Sequence, residues 1–113
     1  MKTEHIEGCS EVRSCEYKGN DDISVVIIGE GVKAIGKEAF ENCCNLRMVV
    51  LPESINTISE SAFSNSGIKI KKNLCPVLLM YCVENSAADT LLGENYIKIY
   101  YKNEKRFNID NQN

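Results

Sequence analysis

SVVIIGEGVKAIGKEAFENC (24–43) and RMVVLPESINTISESAFSNS (47–66) begin twenty-three residues apart and agree at six of their twenty aligned positions. Val26 falls on Val49, Glu30 on Glu53 and Ile35 on Ile58, while Ala39, Phe40 and Asn42 fall on Ala62, Phe63 and Asn65. Conservative pairs fill much of the rest: Ile27 with Val50, Ile28 with Leu51, Val32 with Ile55. Chance would supply about one identity, so a fixed period within the roughly 20–50 residues typical of stacked repeats marks an internal duplication.

Each unit opens on a strand. Side chains alternate along a strand, so Val26 and Ile28 in the first unit, and Val49 and Leu51 in the second, face one side, the core. Gly29 to Gly31 and Pro52 to Ser54 supply turn residues, and Pro52 cannot continue a ladder of strand hydrogen bonds. Val32 and Ile35, like Ile55 and Ile58, return apolar groups inward three residues apart. GKEAF (36–40) and SESAF (59–63) predict a short helical turn, in which Ala permits close approach and Phe fills the interior. Stacking the units sets Phe40 beside Phe63 and strand beside strand at about 4.8 Å, each unit covering the apolar face of the next. The Ala-Phe pair recurs because one core slot recurs.

The stretch VKAIGKEAFENCCNLRMVVLPESINTISESAFSNSGIKI (32–70) resembles the BspA-type leucine-rich repeat, also called the Treponema pallidum type, whose units read roughly IG..AF..C..L..V.LP..V..I. The resemblance covers about two units, residues 24–68. Cys43 stands where that family often has an inward cysteine, Ser66 replaces it in the second unit, and Ser66-Gly67 before Ile68 is similar to a shortened form of the unit. Lys71 and Asn73 depart from the pattern, and regular stacking is expected to end there. The resemblance implies an α/β fold: a short right-handed solenoid with a β-sheet face and short helical turns, capped at both ends. It also implies a protein-binding, adhesive role at a cell surface or in a secreted protein.

The ends read differently from the middle. VLLMYCVENSAADTLLGENYIKIYYKN (77–103) resembles the strand, helix and strand that close arrays of this family. Its own chemistry agrees, because Ser86 with Asp89 three residues on forms a helix-start capping arrangement, and Gly93 is placed to stop the helix. Before the repeats, SEVRSCEY (10–17) predicts a shielding strand, and KGNDD (18–22) a turn. One domain over 1–113 is therefore expected, with an N-terminal cap at 1–23, repeats at 24–73, a C-terminal cap at 74–102 and a loosely ordered polar tail at 103–113.

Composition bounds the function. The net charge of -3 argues against nucleic acid or an anionic membrane as partner, since both need clustered positive charge. The start, MKTEHIEGCSEV (1–12), lacks the apolar run of a secretory signal, and no stretch approaches the roughly 18 apolar residues that span a bilayer. Cys9, Cys15, Cys43, Cys44, Cys75 and Cys82 lack the close spacing of a zinc site, and His5 is the single histidine, so no metal is expected and the cysteines read as mostly free thiols. No nucleophile elbow, zincin helix, phosphate loop or dinucleotide fingerprint occurs, and no catalytic residue or cofactor is assigned. Asp21 with Asp22, and Glu38 with Glu41, read as solvated charge on turns.

The informative oddity lies on the strands. With Val26, Ile28, Val49 and Leu51 inward, Val25, Ile27, Met48 and Val50 must point outward, and that outer face is apolar where a solvated sheet would alternate with polar residues. These four side chains call for a cover, which is a partner, a second copy or the chain's own terminal segment, and exposed apolar patches tend to mark interfaces. The expected partner-binding residues are Val25, Ile27, Met48 and Val50, framed by Lys69. The expected function is a protein-binding module without catalytic activity, recognising an unidentified protein partner. A structural domain that forms a homo-oligomer through the same face is the first alternative, and a thiol-dependent enzyme the second.

Overall fold

A computed structural model describes residues 2–67 and 78–102. Five strands, β1 (Lys2–Ile6), β3 (Ile23–Ile28), β5 (Met48–Val50), β7 (Leu79–Cys82) and β8 (Ile97–Tyr100), form one parallel sheet in the order β1-β3-β5-β7-β8. Three short strands, β2 (Glu11–Val12), β4 (Ala34–Ile35) and β6 (Thr57–Ile58), form a second parallel sheet in the order β2-β4-β6. Among the described residues there is one helix, α1 (Ala87–Leu92), which lies between β7 and β8 in the chain and packs on β6. The fold is thus strand-rich α/β with little helix.

Each rung runs from a strand of the long sheet, through a turn, to a strand of the short sheet and then to an aromatic corner. Val26, Ile28, Val49, Leu51 and Met80 from one side meet Val12, Val32, Ile35 and Ile55 from the other, all essentially excluded from water. Burial of such a side chain contributes about 1.5–3 kcal/mol. At the corner, Tyr17, Phe40 and Phe63 stack with ring centroids 5.2 Å apart and planes within 2° at each step. Tyr96 ends this column edge-on, 6.3 Å from Phe63 at 78°. The two phenylalanines occupy one repeated slot, as their spacing predicts.

Backbone bonds between rungs repeat with the same period. The Tyr17 amide donates to the Ala39 carbonyl at 2.8 Å, and the Phe40 amide to that of Ala62 at 2.7 Å. Gly36 donates to Val12 at 2.8 Å, and Ser59 to Ile35 at 3.0 Å. The buried Cys43 thiol donates to the Tyr17 carbonyl at 3.1 Å, and Ser66, buried in its place one rung on, donates its hydroxyl to the Phe40 carbonyl. A small side chain carrying one donor is what this slot requires, so either residue serves.

The predicted helical turn is a series of tight turns. Bonds from Ala39 to Gly36, Glu41 to Glu38 and Cys43 to Phe40 close three-residue steps, and no helix is formed. Glu38 (φ 58°) and Asn42 (φ 62°) stand in the left-handed region and break helical continuity, as does Asn65 (φ 58°) on the next rung. Gly36 meets a packing demand here: a Cβ on it would lie 2.7 Å from the Ser14 amide nitrogen.

The repeat extends further toward the N-terminus than the sequence comparison reaches. The shielding strand expected at 10–17 is represented only by β2, and the strand that covers β3 is β1, with Thr3, Glu4 and His5 opposite Val25, Val26 and Ile27. The corner residue of this layer, Tyr17, lies in the column of Phe40 and Phe63. Its signal is weak because Glu4 occupies an inward position that is apolar on β3, β5 and β7. Glu4 is there partnered by the Tyr17 hydroxyl at 3.4 Å and Lys2 at 3.6 Å.

After residues 68–77, which hold Lys69, Lys71 and Asn73 and lie outside the described residues, β7 resumes the long sheet with Leu79 opposite Met48. Ser86 caps α1 by accepting from the Asp89 amide at 3.3 Å, the Asp89 carboxylate accepts from the Asn85 amide at 2.9 Å, and Gly93 (φ 61°) ends the helix. Residues 103–113, expected to be a loosely ordered tail, are likewise outside the described residues.

Candidate functional site

Register turns the four predicted outward residues into two longer rows. Thr3, Val25, Met48, Leu79 and Ile97 stand opposite one another across the five strands. His5, Ile27, Val50, Tyr81 and Ile99 form the second row, two residues along. Val26, Val49 and Met80, between the rows, are fully buried, whereas Val25, Ile27, Met48, Val50, Leu79, Tyr81 and Ile99 are half-buried and Ile97 is 54% exposed. Strand alternation therefore separates a closed inner face from an open apolar one.

Val25, Ile27, Met48 and Val50 are thus brought together, while Lys69 lies outside the described residues. Sequence reasoning missed Leu79, Tyr81, Ile97 and Ile99. YIKIYY (96–101) reads as an alternating strand, but only the pairing of β7 with β8 places its apolar members in the same rows. At the β1 end the rows finish in Thr3 and His5, both exposed.

The inner row ends in charge on both sides. Its members are Glu4, Val26, Val49, Met80 and Lys98. Lys98 donates to the Asp89 carboxylate at 2.7 Å, and the Tyr100 hydroxyl joins it at 3.1 Å. The Lys98 ammonium, with the Asn85 amide, holds the Asp89 carboxyl below the ordinary carboxylate range, and Asp89 in turn raises Lys98. At the strand ends the Tyr101 hydroxyl donates to the Leu51 carbonyl at 2.6 Å, and burial, reinforced by Glu30 and Glu53, pushes it up to about 12. On the aromatic corner Lys18 bridges Glu38 at 2.8 Å and Glu41 at 3.1 Å, so these carboxylates, read as solvated charge, are joined across rungs by one ammonium.

Among the described residues, the two buried thiols, Cys43 and Cys82, are not arranged for nucleophilic chemistry. Burial raises Cys43 and Cys82, the reverse of the lowering that makes a reactive thiolate. Cys44 is half-buried and donates to the Asn42 carbonyl at 3.4 Å. Among the described residues no group of three or more His, Cys, Asp or Glu side chains is placed to hold a metal ion, and no helix is long and apolar enough to cross a membrane.

A family model described as the BspA type leucine rich repeat region (6 copies) matches residues 6–86, well over half of the chain. Comparison with curated proteins and with solved structures yields no match. Leucine-rich repeats generally mediate protein–protein interaction and are typically non-enzymatic. The matched span begins at Ile6, the last residue of β1, and takes in β2 and the Tyr17 corner as well as the two units the sequence aligns, in agreement with a corner slot filled three times. The chain belongs to the BspA-type leucine-rich repeat family.

Proposed function

We propose that this chain is a protein-binding module of adhesive type, without catalytic activity, whose working surface is the outward face of the long sheet. The observation that carries the reading is the pair of apolar rows in register, centred on Val25, Ile27, Met48 and Val50. A sheet face left to water would alternate with polar residues there. In this reading the rungs wind as a short right-handed solenoid, residues 1–113 act as one domain, and the first and last layers are its caps. Glu4 and Lys98 support the capping, since an array end needs polar groups where its interior needs apolar ones.

The test is the double variant Met48→Ser, Val50→Ser, compared with the parent in pull-downs from native extract and by light scattering over a range of concentrations. Loss of a captured protein with an unchanged far-ultraviolet circular dichroism spectrum is the expected result. A dimer that forms with concentration and vanishes in the variant would assign the face to self-association instead. Identical behaviour of the two proteins in both assays would remove the face from consideration.

A further inference from the structure

Resting on the reading of the sheet face as the working surface, we infer that its occupant is an amphipathic helix of about 13 residues, 1.5 Å per residue along the axis, bearing basic side chains along one flank. Shape is the first argument. Five strands spaced at about 4.8 Å make the rows about 19 Å long, and two outward residues per strand make the strip only ~7 Å wide. A strip of those dimensions covers ~130 Å² in projection, short of the roughly 800 Å² per partner of a stable interface between folded domains. It is too narrow for a second copy held by this face alone, and it matches one side of a single helix, whose diameter with side chains is roughly 10–12 Å.

Backbone chemistry is the second argument. The amides and carbonyls of β3, β5 and β7 are paired within the plane of the sheet, so the face offers an incoming chain apolar side chains and no hydrogen-bonding ladder. An extended peptide lying there would leave its own polar backbone unmatched, whereas a helix satisfies its backbone internally.

Charge is the third. Beyond the C-terminal ends of the strands stand Glu7 after β1, Glu30 after β3, Glu53 after β5 and Glu84 after β7, with Lys102 after β8. Glu7, Glu30 and Glu84 are exposed. Glu30 accepts from the Glu53 amide at 3.2 Å, which fixes its carboxylate on this rim. Glu30 lies three residues beyond the outer-row Ile27, about 10 Å along the chain, within reach of a lysine or arginine on the flank of a helix seated on the rows. The opposite rim is mixed in sign, with Asp22 before β3, Arg47 before β5 and Glu94 before β8, whereas this rim carries a glutamate after each of four strands.

The experiment uses two helix-stabilised synthetic peptides of 14 residues with leucine at i, i+3, i+4, i+7 and i+11, one carrying lysine and arginine on a single flank, the other glutamate at the same places. Fluorescence anisotropy with the intact protein should show the basic peptide binding at least ten-fold more tightly. That advantage should vanish in Glu7→Gln, Glu30→Gln, Glu84→Gln and shrink in high salt, and Met48→Ser, Val50→Ser should abolish binding of both peptides. Equal affinities for the two peptides, or binding that survives the serine pair, would overturn the inference. If neither peptide binds while the serine pair still abolishes partner capture or a dimer, the helix is wrong and the face stands. If the serine pair changes nothing in any of the assays, the face itself is wrong.

Discussion

Phe40 occupies the middle of the aromatic column, with Tyr17 and Phe63 each 5.2 Å away, and none of it reaches solvent. Truncation would remove burial and two ring contacts at once, and the backbone bonds on either side oppose collapse of the cavity. Phe40→Ala should therefore cost about 3–5 kcal/mol, the range for a buried aromatic in a packed core, measured by urea denaturation. Tyr17→Ala, at the end of the column and half-buried, should cost clearly less, and equal losses would contradict the column as a stacked unit.

Among the elements, β8 and α1 are joined by a charge pair, Lys98 to Asp89, where the inner row of the middle strands is apolar. Asp89 ionises below its ordinary value in the folded protein, so its contribution to stability is complete above roughly pH 4, the ordinary carboxylate value, and disappears as pH falls through the folded value. Lys98 is raised, so its share persists up to roughly pH 10, the ordinary lysine value, and is lost as pH rises through its folded value. The stability difference between the parent and Asp89→Asn should thus form a plateau across neutral pH and shrink toward both extremes. Thermal melts from pH 3 to 11 would check this; a difference that grows on acidification would rule out the assigned pairing.

At the scale of the whole molecule, every described strand of the long sheet is held by neighbours in the stack, and among the described residues β1 and β8 have a neighbour on one side only. In such an array stability is a sum of rungs and the contacts between them, and opening begins at the ends. Amide hydrogen exchange should be slowest at Val26 and Val49, inside β3 and β5, and faster in β1 and β8. Uniform protection across all five strands would mean that the ends are held by contacts other than those between neighbouring rungs.

The period, the inward residues and the corner slot are legible in the order of the residues alone. A repeat of twenty-three with alternating apolar strands has one economical packing, each rung against its copy, and Phe40 and Phe63 lie in it accordingly. That order also shows that Val25, Ile27, Met48 and Val50 face outward, because strand periodicity is local. Only tertiary structure decided that Lys2–Ile6 is a rung strand, since Glu4 stands at an inward position and is tolerated through partners from Tyr17 and its own strand. The same holds for the added length of the outer rows. Leu79 lies thirty-one residues after Met48 and Ile97 eighteen after Leu79, spacings outside the period, and only register between strands brings them together. Side-chain direction is set by the residue's own backbone, whereas adjacency across irregular connections is set by hydrogen bonds between strands that no single stretch of sequence contains.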